Sequence, residues 1–162
     1  MNIISISNTP LVGAPARLAN CLSNHVDNIE IFTIKDYPNH LKGIFPLGKL
    51  FDKKIFDLNN VDLVLIHNIV DTKIIEKIKN TYKCPIYLLV HSGVYEEPFH
   101  NKIIDSNYLK IFDKKFVVAQ AWSRLYRDFI MLPNTPEVML FEKPSPFKKM
   151  KIFYNPASSK ST

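Results

Sequence analysis

Apolar residues fall along this chain in two alternating rhythms. Asn2-Ile-Ile-Ser-Ile-Ser7, Ile29 to Ile34, Val61 to His67, Pro85 to His91 and Lys115 to Ala119 are short, strongly apolar stretches that read as strands. Between them the spacing becomes helical. Ala16, Leu18, Ala19, Leu22 and Val26 form one stripe, preceded by the turn chemistry of Asn8-Thr-Pro-Leu-Val-Gly-Ala-Pro15. Asp71 to Tyr82 reads as a helix with Asp71 as N-cap, Ile74, Ile75 and Ile78 inward and lysines outward. Ala121 to Phe129 reads as another, with Trp122, Tyr126 and Phe129 as its core stripe. Residues 36–58 break the rhythm. Pro38, Gly43, Pro46 and Gly48 exclude a long helix and leave loops with one or two short helices around Leu47 to Phe56.

Strands apolar on both faces are what a parallel sheet covered by helices on two sides requires. The strand–helix alternation therefore predicts an α/β fold: a Rossmann-like, doubly wound, mostly parallel sheet with helices on both faces. Residues 1–132 form this domain. Residues 133–149, which include Pro133, Pro136 and the Lys143-Pro-Ser-Pro146 stretch, read as a connection. Residues 150–162 repeat the opening grammar, an apolar strand at Met150 to Tyr154 and then a polar, Pro-containing loop.

Composition narrows the class without naming a function. The 162 residues are 46% hydrophobic and 22% charged, ordinary for one soluble domain. No apolar run approaches the roughly 20 residues of a membrane span. The start has no basic segment leading into an apolar one, so a cytoplasmic setting is expected. Cys21 and Cys84 make no C-x-x-C pair or zinc spacing and read as small, partly buried residues. The net charge of +6 is uneven: residues 100–162 hold 11 Lys and Arg against 5 Asp and Glu, while residues 1–99 hold 10 of each. That excess suits an anionic partner, either a phosphorylated ligand or a membrane surface contacted peripherally, or is simply a solvated basic face. The basic residues are scattered and lack both an aromatic–basic RNA motif and a recognition-helix pattern, so nucleic acid is not expected.

In a parallel sheet every strand delivers its carboxyl end to one edge, and that edge is where ligands bind. Asn8, His67, Asn68, His91, Ser92 and Gly93 gather there with the loop around Gly13. Gly13 lets backbone approach a ligand, Ala14 and Ala16 keep the approach open, and Arg17 can reach a phosphate or carboxylate. His91 is the strongest acid–base or hydrogen-bonding candidate, with Glu96 and Glu97 close behind it in sequence; His67 is the second. Each histidine reads equally as a strand-end residue satisfying backbone groups. The dinucleotide fingerprint G-x-G-x-x-G is absent, and no cofactor or metal is expected. Gly43-Ile-Phe-Pro-Leu-Gly-Lys49 has P-loop spacing, but Leu50 replaces the magnesium-binding hydroxyl and no strand leads into it. No nucleophile elbow is present.

Several of these segments resemble the amino-terminal domain of bacterial glycosyltransferases built from two Rossmann-like domains (the GT-B type). They are Asn8-Thr-Pro-Leu-Val-Gly-Ala-Pro-Ala-Arg-Leu-Ala19, Asp62-Leu-Val-Leu-Ile-His-Asn68, Val90-His-Ser-Gly-Val-Tyr-Glu-Glu97 and Leu132-Pro-Asn134. The resemblance covers most of the chain through layout and short motifs. It implies an acceptor-side domain for a surface-glycan or lipid-linked sugar acceptor. Gly13 and Ala14 would line its cleft, His91, Ser92 and Gly93 would face the reacting sugar, and Glu96 or Glu97 would act as base. It also implies that a nucleotide-sugar donor binds only with a second domain, whose first strand would be residues 150–154, so that this chain is a truncated or partial enzyme. The competing readings are a non-catalytic Rossmann-like module completed by a partner chain, and a small self-sufficient enzyme using His91.

Overall fold

In the computed structural model, residues 1–9, 11–36, 49–51, 53–68, 70–91, 106–118 and 127–132 are described. Their strands are β1 (Asn2–Ser7), β2 (Asn28–Thr33), β3 (Lys49–Leu50), β4 (Leu63–His67), β5 (Ile86–Val90), β6 (Lys114–Val117) and β7 (Phe129–Met131). Every pairing is parallel, and the order across the sheet is β3-β2-β1-β4-β5-β6-β7. The chain builds outward from β1 in one direction through β3, then crosses back and builds in the other direction from β4. Right-handed crossovers running in opposite directions place their connections on opposite faces, which makes the sheet doubly wound. The fold class expected from the alternation is thus the one observed.

Three helices are described: α1 (Ala14–Leu22), α2 (Thr72–Thr81) and α3 (Ser106–Leu109). The main core lies on one face of the sheet. Ile4 and Ile6, Val64 and Ile66, and Ile86, Leu88 and Val90 point into it at period two. They meet Ile55 from the 3₁₀ turn Lys53–Asp57, Ile75 and Ile78 from α2, and Tyr108 and Phe112 at α3. Ile6, Ile66, Ile75 and Ile78 are completely buried, and each such side chain stabilises the fold by roughly 1.5–3 kcal/mol. Helix α2 starts where the sequence places it: Asp71 caps it by accepting a 2.8 Å hydrogen bond from the Lys73 amide. It stops because Tyr82 turns extended, its hydroxyl donating to the Ile55 carbonyl.

Two expectations fail locally. Phe129 opens strand β7 rather than closing a helix, because it pairs with Lys115 of β6 and its ring is buried from the sheet. Trp122 and Tyr126 lie outside the described residues. In the region of residues 36–58, Lys53–Asp57 is the expected short helix, but Lys49–Leu50 forms an edge strand against Phe32 and Thr33 of β2. Two residues leave no periodicity to read. The connection at 133–149 and the segment at 150–162 lie outside the described residues. Among the described residues no helix is long and apolar enough to cross a membrane.

Candidate functional site

The second face of the sheet is covered by α1, which buries Pro15 and Ala19 against β1 and β2. Toward the carboxyl end this face turns polar. Ser5 and Ser7 alternate with Ile4 and Ile6 along β1 and so point away from the main core. Strand register puts Ser7 between Thr33 of β2 and His67 of β4, which opposes Leu89 of β5. Ser5, Ser7 and Thr33 are each 1% exposed and His67 is wholly buried. A row of polar side chains buried in a central sheet is costly unless each finds a partner.

Most do. The Ser5 hydroxyl lies 2.8 Å from His67 Nε2, and His67 Nδ1 lies 2.7 Å from His91 Nε2. The imidazole planes are within 17° of each other with centroids 5.0 Å apart. That separation is what remains when two five-membered rings meet edge to edge through a 2.7 Å nitrogen–nitrogen contact, so the rings share a plane rather than stack face to face. Ser7 Oγ is buried without a hydrogen-bond partner among the described residues.

Asn68 holds the outer end of this chain in place. It stands in the left-handed region (φ 58°), where its short polar side chain is tolerated. That turn lets Oδ1 accept a 2.6 Å hydrogen bond from the His91 amide while the Asn68 amide donates to the Leu89 carbonyl. The Tyr108 hydroxyl donates to the Asn68 carbonyl and accepts from the Val70 amide, both at 3.3 Å. The ends of β4 and β5 are thereby tied to each other and to α3.

The adjoining loop is strained in a second place. Leu11 has φ 48° and Gly13 has φ 76°; only the glycine adopts such an angle without steric cost. Gly13 is the N-cap of α1 and offers no side chain to the first-turn amides, and Pro15 removes one donor from that turn. Arg17, one turn into the helix, is near enough to His91 for its charge to act on the ring.

Burial sets the electrostatics. His67 is held well below the usual histidine pKa by burial, and then by His91. Burial, and after it the Arg17 charge, lowers His91 to about 4. Both rings are therefore neutral at physiological pH, and Tyr108, pushed up to about 12 by burial, stays protonated.

Of the expected site residues, the structure brings together His91, His67 and Asn68, and places Gly13, Ala14 and Arg17 at the neighbouring strand–helix junction. His67 and Asn68 are buried behind His91. Ser92, Gly93, Glu96 and Glu97 lie outside the described residues. Sequence reasoning missed Ser5, Ser7 and Tyr108. The signal for the serines was present, because Ser at every second position of an Ile strand marks one polar face. Comparison with known protein families, curated proteins and solved structures finds no match to this chain.

Proposed function

We propose that the carboxyl edge of β1, β4 and β5 binds a hydroxyl-bearing, phosphorylated ligand, and that the domain serves as the acceptor side of a glycosyltransferase. The reading is carried by one observation: the buried Ser5–His67–His91 chain crosses from β1 to β4, where the sheet order reverses, and ends at the carboxyl end of β5 next to it. In open α/β sheets this is the crevice that takes ligands. The unpartnered Ser7 hydroxyl and the uncapped first turn of α1 supply further donors on the same side, and Arg17 adds positive charge. The glycosyltransferase form rests on the resemblance of the motifs. It assigns the domain a surface-glycan or lipid-linked acceptor, with nucleotide-sugar held by a donor-binding half outside the described residues, in the cytoplasm or at the inner membrane face.

A non-catalytic binding module is the second reading, favoured by the low basicity of His91. A ring whose pKa is about 4 is a weak proton acceptor at neutral pH. Calorimetry on the full chain with sugar phosphates and nucleotide-sugars tests both. Sugar phosphates should bind, and His91→Ala should weaken them roughly tenfold, the worth of one hydrogen bond to a charged group. Unchanged affinity in His91→Ala would overturn the site. Micromolar nucleotide-sugar binding would overturn the claim that the donor half lies elsewhere. Sugar transfer to an added acceptor would overturn the non-catalytic reading.

A further inference from the structure

The Ser5–His67–His91 chain has a direction, set by counting hydrogens. Two neutral imidazoles carry one N–H each, and a serine hydroxyl carries one O–H. Two arrangements satisfy both contacts. In the first, Ser5 O–H donates to His67 Nε2, His67 Nδ1–H donates to His91 Nε2, and His91 keeps its proton on Nδ1. In the second, His91 Nε2–H donates to His67 Nδ1 and His67 Nε2–H donates to Ser5 Oγ, leaving His91 Nδ1 bare. The second arrangement strands the Ser5 hydrogen. Ser5 is 1% exposed and His67 is its hydrogen-bond partner, with no other among the described residues. A buried donor without an acceptor biases the equilibrium against that arrangement by roughly tenfold or more.

We infer that Ser5, through His67, fixes His91 as the Nδ1–H tautomer, so that the site meets its ligand with a neutral hydrogen-bond donor and selects an acceptor oxygen such as a phosphoryl oxygen. The ligand part of this inference rests on the function proposed above; the tautomer does not. The 1,3 arrangement of the ring nitrogens turns Nδ1 away from His67, whose contact is made through Nε2. Neutrality supports the same role, since neither ring carries a second proton at pH 7. A proton accepted at His91 from a ligand has no exit, because the far end of the chain is a buried hydroxyl. The chain positions a donor and does not relay a proton. Ser5 and His67 are positioning residues; His91 is the group that touches the ligand.

Long-range nitrogen–proton correlation spectra of the full chain at neutral pH decide the tautomer. The expected pattern is Nδ1 protonated and Nε2 bare on both His67 and His91. A proton on His91 Nε2, or two protons on either ring, would overturn the inference. Ser5→Asp replaces the donor by an acceptor and should reverse the chain, moving the His91 proton to Nε2. A folded Ser5→Asp protein that keeps His91 Nδ1–H would show that Ser5 does not set the direction; should that variant fail to fold, the spectrum of the native chain decides by itself. Inorganic phosphate then probes the ligand class. It should shift the His91 Nδ1–H resonance, and calorimetric phosphate binding that leaves that resonance unmoved would overturn the donor role. Absence of any phosphate binding beside the expected tautomer counts against the proposed function alone.

Discussion

Acidification should unfold this domain through its paired histidines before most of its carboxylates titrate. The perturbation is a fall in pH from neutral toward 4. A histidine whose folded pKa lies below its unfolded value takes up its proton first in the unfolded chain. Its contribution is therefore complete above the ordinary 6.5 and is lost as pH falls toward the folded value, about 4 for His91. Across that window each such ring gives stability a slope of about 1.4 kcal/mol per pH unit. By about pH 5 His91 alone has cost the fold roughly 2 kcal/mol, and His67, shifted in the same direction by its burial, adds to the loss. Roughly 2 kcal/mol is already a substantial part of the 5–15 kcal/mol that holds a typical domain together. The assay is urea unfolding at a series of pH values between about 7.5 and 4.5, with free energies from the midpoints and slopes. His91→Asn, which keeps a polar side chain but removes one titrating ring, isolates the effect because the carboxylates are common to both proteins. Its slope should be smaller by about 1.4 kcal/mol per pH unit. Equal slopes in the two proteins, or stability flat between pH 7 and 5 in the wild type, would refute the reasoning.

Two further substitutions test the frame around the site. Asn68→Ala loses the acceptor for the His91 amide and places a Cβ residue at φ 58°, whereas Asn68→Gly loses the acceptor alone; the alanine variant should unfold about 1 kcal/mol more readily, read from urea midpoints. Equal stabilities would mean that the left-handed turn relaxes in the variants. Ile75→Ala removes a wholly buried side chain from α2 and should cost about 2–5 kcal/mol while the tautomer spectra of any folded fraction stay native.

How much of this was legible in the sequence depends on whether a residue acts through its neighbours in the chain or across the sheet. Asp71 could be read as a cap because its partner, Lys73, is two residues away. The apolar runs of β4 and β5 could be read because burial on both faces leaves no polar alternation. His91 and His67 could be picked as candidates at strand ends. Their contact could not, since it depends on which strands are neighbours, and the order β1-β4-β5 is fixed by crossovers that no local pattern encodes. Ser5 shows the same limit, lying 62 residues from its partner. Phe129 was misplaced because a three-residue strand and the end of an aromatic helical stripe look alike until the strand finds β6.

The bland account of His67 is that it is a core histidine that has found its hydrogen bonds. The distribution of costs around it argues otherwise. Leu11 stands in the left-handed region, where a branched side chain is unfavourable, and Ser7 Oγ is buried unpartnered. Asn68 is also left-handed. Leu11 and the Ser7 hydroxyl each cost on the order of 1–3 kcal/mol, whereas asparagine tolerates the left-handed turn, and all three belong to the segments leaving β1 and β4. The third non-glycine residue with positive φ, Asn60, sits just before β4 at the opposite edge, in a turn position that asparagine fills cheaply. A sheet evolved only for stability would replace Ser5, Ser7 and His67 by valine or isoleucine, as it does at Ile4, Ile6 and Ile66 one position away. Polar burial, strain and an unsatisfied hydroxyl converge instead on the edge where the strand order reverses, and that convergence is the reason for proposing a binding site there.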